Sequence, residues 1–81
     1  MDRYFFDIRR DGETVRDDEG DEYPSDEEAR ANAIKAVREL VAAKIRGGFA
    51  VSDEHLDVCD RDGRVLFSIS FHDVVHDQLK R

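Results

Sequence analysis

The sequence predicts a two-layer α+β sandwich in which a four-stranded sheet carries one long helix on one face. Two Asp-Gly dipeptides, at 11–12 and 62–63, each lie between alternating apolar residues, a pattern typical of β-hairpins. Between them, apolar residues recur every three or four positions over 26–46, the period of a helix with one buried face. Since 81 residues suffice for one core only, we predict a β-β-α-β-β order in a single domain, 1–81.

The first hairpin is predicted over residues 3–16. A two-residue turn at its Asp-Gly dipeptide aligns the two strands and sorts their side chains onto an apolar and a polar face. The resulting pairs are Ile8 with Val15 on the apolar face, Asp7 with Arg16 on the other face, and Arg10 with Glu13 near the turn.

The acidic segment that follows is predicted to be a solvated loop, residues 17–25. Positions 17–22 are all acidic or glycine, so they offer no apolar side chain to a core. No alignment of the chain's glycines with an EF-hand loop places acidic ligands at the required positions, so a calcium loop is not expected. Tyr23 and Pro24 lead the chain into the helix.

The helix is predicted over residues 26–46, with signals at both ends. Ser25 and Glu28 have the spacing of a capping box. Acidic residues fill the first turn, Lys44 and Arg46 lie in the last turn, and Gly47-Gly48 follows, as the helix dipole and a left-handed C-terminal residue favour. The apolar positions of the helix are Ala33, Ile34, Val37, Leu40, Val41 and Ile45.

The second hairpin is predicted over residues 54–71, followed by a short tail or helix, 72–81. A two-residue loop at Asp62-Gly63 aligns its strands. The pairs facing the helix are Leu56 with Ile69, Val58 with Phe67 and Asp60 with Val65, and those on the outer face are His55 with Ser70, Asp57 with Ser68 and Cys59 with Leu66. The full set of apolar side chains expected to face the helix is Tyr4, Phe6, Ile8, Val15, Leu56, Val58, Val65, Phe67, Ile69 and Phe71.

The order of the four strands in the sheet is predicted from their apolar content. Strands 3–10 and 64–71 are the most apolar, which favours placing both at the centre, in the order 2-1-4-3. The alternative order, 2-1-3-4, remains open. The favoured order makes strands 13–16 and 55–60 the edges of the sheet.

Charge and composition disfavour several classes of function. The formal net charge of −7 opposes binding to phosphate backbones and so disfavours nucleic acid as a partner. The single Cys59 has no partner for an intrachain disulfide, and the sequence shows neither a signal peptide nor the roughly 20 apolar residues needed to span a bilayer. A cytoplasmic protein without membrane contact is expected.

Few residues suggest chemistry. His72 and His76 are four positions apart and would share one face of a helix, but two histidines do not make a metal site. Acidic neighbours of Cys59 oppose thiolate formation. Ser70 faces His55 across the hairpin, and Ser68 faces Asp57, yet no oxyanion hole accompanies them. No catalytic, cofactor-binding or metal-ligating residue is therefore assigned, and no cofactor is expected.

Several motifs stand out along the chain: Arg3-Tyr4-Phe5-Phe6-Asp7-Ile8-Arg9, Asp11-Gly12, the acidic Asp17-Asp18-Glu19-Gly20, Pro24 before an alanine-rich helix, and the second hairpin around Asp62-Gly63. Together they resemble a family of small bacterial proteins known as domain of unknown function 6894. The resemblance covers nearly the whole chain except 72–81. Because that family has no assigned activity, the resemblance implies no substrate, cofactor or catalytic residue.

The function expected from these observations is that of a non-enzymatic protein-interaction or regulatory module. Its partner is an unidentified protein or a second copy, as a weak homodimer through edge strand 55–60, where Asp57 and Asp60 are the only charges. One alternative is a nucleic-acid-associated regulator that uses a basic face of the helix. The other is a small metal-dependent enzyme that uses His55, His72 or His76. The basic helix residues are Arg30, Lys35, Arg38, Lys44 and Arg46.

Overall fold

The computed structural model describes residues 1–79 and confirms the predicted α+β architecture, with a fifth strand and a second helix in addition. The predicted tail or helix 72–81 is helical through residue 79, and its last two positions lie outside the described residues. The elements in chain order are β1 (Asp2–Arg10), β2 (Glu13–Val15), β3 (Asp21–Tyr23), α1 (Asp26–Arg46), β4 (Glu54–Cys59), β5 (Val65–Ser70) and α2 (Phe71–Leu79).

The sheet is antiparallel and its strands follow the order β2-β1-β4-β5, with β3 also paired to β1. The favoured order 2-1-4-3 is therefore wrong, and the alternative 2-1-3-4 is confirmed for the two predicted hairpins. Apolar content misled the prediction because β4, despite its three charged or ionisable side chains besides the thiol, is the more deeply buried strand. Strand 55–60, expected at an edge, lies in the interior of the sheet.

The first hairpin has the predicted register through its turn. Asp11 and Gly12 both have positive φ, 32° and 77°, as a two-residue hairpin turn requires. The ladder ends at Val15, one residue before the predicted pair of Asp7 with Arg16. The pairs formed are Ile8 with Val15, Arg9 with Thr14 and Arg10 with Glu13.

The second hairpin has the predicted register from His55–Ser70 through Val58–Phe67, and then departs from it. Leu66 is an extra residue in β5, so Cys59 stands opposite Val65 instead of Leu66. The turn also differs, since only Gly63 has positive φ there. The extra residue moves Val65 from the predicted helix-facing side to the outer face of the sheet, where it is 54% exposed.

The acidic segment is an ordered part of the sheet, in contrast to the predicted solvated loop 17–25. Its residues 21–23 form β3 against the first half of β1. The Asp17 carboxylate accepts hydrogen bonds from the backbone N–H groups of Phe6, at 3.1 Å, and of Gly20, also at 3.1 Å. Gly20 has φ +68° and leaves no room for a side chain, because a Cβ there would lie 2.7 Å from the Tyr4 carbonyl oxygen. β2 and β3 together therefore cover one edge of β1, and Asp17 bonds to the backbone between them.

The helix α1 has the predicted bounds and the predicted N-terminal cap, because the Ser25 hydroxyl accepts a hydrogen bond from the Glu28 N–H at 3.2 Å. Gly48, with φ +76°, takes the left-handed conformation after the last turn. The side chains that α1 buries are spaced by four: Ala29, Ala33, Val37 and Val41.

Two apolar residues in the second half of α1, Leu40 and Ile45, were expected on the buried face but are exposed. Leu40 lies beside the buried row that runs through Val37 and Val41, and Ile45 follows the last buried residue of that row. Val15 is exposed as well, because β2 lies at the far edge of the sheet.

The core lies between the sheet and a layer formed by both helices, since α2 contacts α1, β4 and β5. Phe71 and Val74 of α2 are buried there beside the residues of α1 and the sheet. The sequence analysis predicted Phe71 on the helix-facing side of a strand, and in the structure it is the first residue of α2 and buried. The fully or nearly buried members of this core are Tyr4, Ala29, Ala33, Val37, Val41, Leu56, Val58, Ile69, Phe71 and Val74.

Candidate functional site

The outer face of the sheet, opposite the helices, holds most of the side chains that suggested chemistry in the sequence. Directly opposed residues in an antiparallel ladder project on the same face. The strand registers therefore arrange this face in three rows across β1, β4 and β5: Phe5, Cys59 and Val65; then Asp7, Asp57 and Ser68; then Arg9, His55 and Ser70.

Asp57, in the middle row, is buried, and its carboxylate accepts hydrogen bonds from side chains on both neighbouring strands. Arg9 donates two hydrogen bonds to its carboxylate, at 3.0 and 3.3 Å, and the Ser68 hydroxyl donates a third at 2.6 Å. Burial alone would raise the pKa of Asp57, but the hydrogen bonds from Arg9 and Ser68 and the charge of Arg9 outweigh it and hold the pKa below the ordinary value. Asp57 is therefore a structural carboxylate that joins three strands.

The serine, histidine and aspartate of this face do not form a catalytic relay. Ser68 bonds directly to Asp57, with no histidine between them. The Nδ1 atom of His55 is buried and has no hydrogen-bond partner among the described residues, and its contact with Asp53 is 4.0 Å long. Among the described residues, no histidine is hydrogen-bonded to either serine of β5.

Asp7 and Cys59 form a second buried pair on the outer face. The Asp7 carboxylate accepts a hydrogen bond from the Asp17 N–H at 3.0 Å and a weaker one from the Cys59 thiol at 3.7 Å. Burial and the neighbouring Asp7 raise the pKa of Cys59 to about 11. The thiol therefore stays protonated near neutral pH.

We expect Cys59 to resist alkylation and disulfide exchange in the folded chain. A pKa raised from 9.0 to about 11 lowers the thiolate fraction at pH 8 about 100-fold, and burial slows access further. Reaction with Ellman's reagent at pH 8 should therefore be at least about 100-fold slower in the folded chain than in the same chain unfolded in urea. Comparable rates in the two states would contradict the burial and the raised pKa.

The residues proposed for the two alternative functions are not assembled into sites. Within residues 1–79, no group of three or more histidine, cysteine, aspartate or glutamate side chains is placed to share a metal ion. His72 and His76 are exposed on α2, whereas His55 lies on the outer face of the sheet. On α1, Arg30 lies over the Phe67 ring, 5.9 Å from its centroid, and Lys44 pairs with Glu54, so two of the five basic residues have partners within the fold.

A cavity of about 450 Å³ lies between the acidic segment and the aromatic residues Tyr4, Phe6 and Tyr23. Phe6 and Tyr23 are stacked against each other with centroids 5.9 Å apart. The Asp17 carboxylate in its wall already accepts bonds from three backbone N–H groups. The Asp17 carboxylate in this cavity therefore serves mainly to hold the turn in place.

The free edge of β5 differs from every other surface described above. Within residues 1–79, β5 pairs with β4 alone, so its other side presents backbone N–H and C=O groups that no strand satisfies. None of its six residues is charged, and its exposed side chains include Val65 and Leu66, the latter 40% exposed. The opposite edge is made of β2 and β3, which contribute Glu13, Asp21 and Glu22. Charges of this kind protect an edge from pairing, and β5 lacks them.

This edge was not predicted from the sequence, because the apolar content of β5 favoured a place at the centre of the sheet. A signal for the correct order was present in the charges. Arg9 and Arg10 on the first strand pair with Asp57 and Glu54 on the first strand of the second hairpin. Pairing these charges would have placed β4 beside β1 and left β5 outside.

The helices of the described chain are too short or too polar to cross a lipid bilayer. No curated protein matches the sequence. No solved structure matches it either. A family model does match, over residues 3–72, which covers both hairpins except the first residue of β1, covers α1, and ends at the second residue of α2. On the strength of that match the chain belongs to the family described as Domain of unknown function (DUF6894).

Proposed function

We propose that this protein is a non-enzymatic, cytoplasmic protein-interaction module that binds a partner by strand addition at the free edge of β5. In strand addition, an extended segment of the partner bonds to the unpaired backbone groups of an edge strand. The observation that carries the proposal is the uncharged, six-residue strand at one edge of a sheet whose other edge carries three acidic residues.

The chemistry of the outer face supports a binding role over catalysis. Asp57 is occupied by Arg9 and Ser68, and Asp7 by the Asp17 N–H. Cys59 is protonated at neutral pH because its pKa is raised to about 11. The side chains most capable of taking part in a reaction are thus used to hold strands together. Backbone pairing at β5 needs none of them.

Two matched double variants test the proposal. Val65→Lys with Leu66→Lys places charge at the β5 edge, and Thr14→Lys with Val15→Lys places the same charge at the β2 edge. All four positions are exposed, so both variants are expected to keep the wild-type melting temperature within a few degrees. Each tagged chain is expressed in its native host and cross-linked before purification.

We expect the wild-type chain and the β2 variant to capture the same partner proteins, and the β5 variant to lose them. Loss of capture by the β2 variant with retention by the β5 variant would reject the proposed edge. Identical capture by all three folded chains would reject strand addition altogether.

A further inference from the structure

We infer that the partner of the β5 edge is a second copy of this chain, whose β5 pairs antiparallel to the first across a two-fold axis. The inference rests on the proposed function in that it uses the same edge, and it names the occupant. Such pairing joins two sheets into one continuous sheet and satisfies the free backbone groups of both edges at once.

The charges that flank β5 favour an antiparallel copy. Arg64 directly precedes the strand, after a turn in which Asp60 and Asp62 accompany Arg61, and Asp73 lies just after the strand, in α2. In an antiparallel pair, Arg64 of each copy lies toward the end of its mate that carries Asp73, and the two-fold axis repeats this contact. A parallel arrangement would bring like charges together instead.

The register is determined by the faces of the sheet and by Arg30. Opposed residues must share a face, so the axis passes through a residue, and Phe67 and Ser68 are the central candidates. An axis at Phe67 would bring together two Arg30 guanidinium groups, since each lies over its own Phe67 ring. An axis at Ser68 avoids this contact, sets Phe67 opposite the second copy's Ile69, and places Arg64 next to the start of the second copy's α2.

The structure also limits the strength of the dimer. Leu66 interrupts the regular ladder of β5, so regular pairing is confined to the residues after it. Each copy carries a net charge of −7, which opposes association. The dissociation constant of the dimer is therefore expected to lie between about 10 µM and about 1 mM at about 0.15 M salt, where charges more than about 8 Å apart are largely screened.

Sedimentation equilibrium over that concentration range measures the association. The wild-type mass is expected to rise from 9.3 kDa toward twice that value. Arg64→Glu is expected to weaken the dimer about tenfold because the contact occurs twice, and adding Asp73→Arg in the same chain is expected to restore most of the loss. Arg38→Glu, on the exposed face of α1, makes the same change in net charge as Arg64→Glu and serves as the control. It is expected to leave the dissociation constant of the dimer at the wild-type value.

A cysteine at the axis tests the register without changing charge. Opposed residues in an antiparallel ladder have Cα atoms about 4.5–5.5 Å apart, within the range of a disulfide. Mild oxidation of Ser68→Cys is thus expected to yield a disulfide-linked dimer. Ser70→Cys stands opposite Leu66 of the second copy and is expected to form no disulfide between the two copies.

A wild-type mass that stays at 9.3 kDa up to about 1 mM would overturn the inference. The inference would also be overturned if Arg64→Glu and the Val65→Lys, Leu66→Lys variant both formed a dimer as strong as that of the wild type. A monomeric chain that still captures a host protein through β5 rejects self-pairing while leaving strand addition in place, so the two proposals fail separately.

Discussion

Phe71→Ala is expected to lower the free energy of unfolding by about 3–5 kcal/mol, the usual cost of removing a buried phenylalanine ring. Phe71 is 1% exposed and is the largest fully buried side chain of the described residues. It lies where β5 ends and α2 begins, and it belongs to the core between the sheet and both helices. For a domain of this size, the whole stability is of the order of 4–12 kcal/mol. The loss is therefore expected to be a large fraction of the total stability.

Urea denaturation followed by circular dichroism measures the loss. Phe49→Ala is a matched control, because it removes the same ring from a position that is 70% exposed. The control is expected to change stability by less than about 0.5 kcal/mol. Similar losses in the two variants would show that α2 and its first residue do not anchor the core.

Glu54→Gln is expected to cost about 2–3 kcal/mol at neutral pH. The Glu54 side chain is 1% exposed and pairs with Lys44 and with Arg10, whose Nε lies 3.4 Å away, while the Ser52 hydroxyl donates a hydrogen bond at 2.8 Å. Removing one member of a buried ion pair usually costs 3–5 kcal/mol. The expected loss is about 2–3 kcal/mol, below that range, because the two remaining cations are partly exposed and can turn to water.

The effect of Glu54→Gln depends on pH in a direction that the structure determines. Burial alone raises the pKa of Glu54, but bonds from Lys44 and Ser52 and the charges of Lys44 and Arg10 outweigh it and lower the pKa below 4.5. A lowered pKa in the folded state stabilises the fold above the unfolded-state pKa, and this stabilisation is lost as the pH falls through the folded-state pKa. The difference between wild type and variant should therefore be full at pH 7 and shrink below about pH 4.

Urea denaturation at pH 7 and at pH 3 tests this dependence. Glu39→Gln, at an exposed position on α1, removes the same charge and is expected to change stability by less than about 0.5 kcal/mol at either pH. A Glu54→Gln loss that stays the same at pH 3 would show that the ion pairs do not supply the stabilisation.

Local signals determined much of this fold. The helix bounds 26–46 were predicted to the residue, since the Ser25 cap, the apolar period and the glycine pair all act within a few positions of the helix ends. The pairs of the first hairpin were predicted for the same reason, because a short turn leaves little choice of register. In the second hairpin the pairs from His55–Ser70 through Val58–Phe67 were predicted, whereas those next to the turn were wrong because Leu66 is an extra residue there. Both kinds of contact join residues close in sequence.

Contacts between segments distant in sequence were harder to predict from the sequence. The burial of Asp57 depends on Arg9, which is 48 residues away, and on its position between two strands. The acidic segment was predicted to be a loop because its residues have no apolar pattern, yet the open half of β1 pairs with residues 21–23 and Asp17 bonds to the Phe6 N–H. In both cases a charged side chain is ordered by a backbone or a cation that only the folded chain supplies.

The candidate site shows the same division. From the sequence came the class of fold, the helix, the two hairpins and the expectation that an unprotected strand edge is the surface to examine. Which strand forms that edge was decided only by the tertiary structure, where Arg9 and Arg10 pair with Asp57 and Glu54 and so place β4 beside β1. The physical reason is that a strand's own composition determines how it pairs with its hairpin neighbour, whereas the packing of one hairpin against the other depends on side chains from both, brought together only when the core forms.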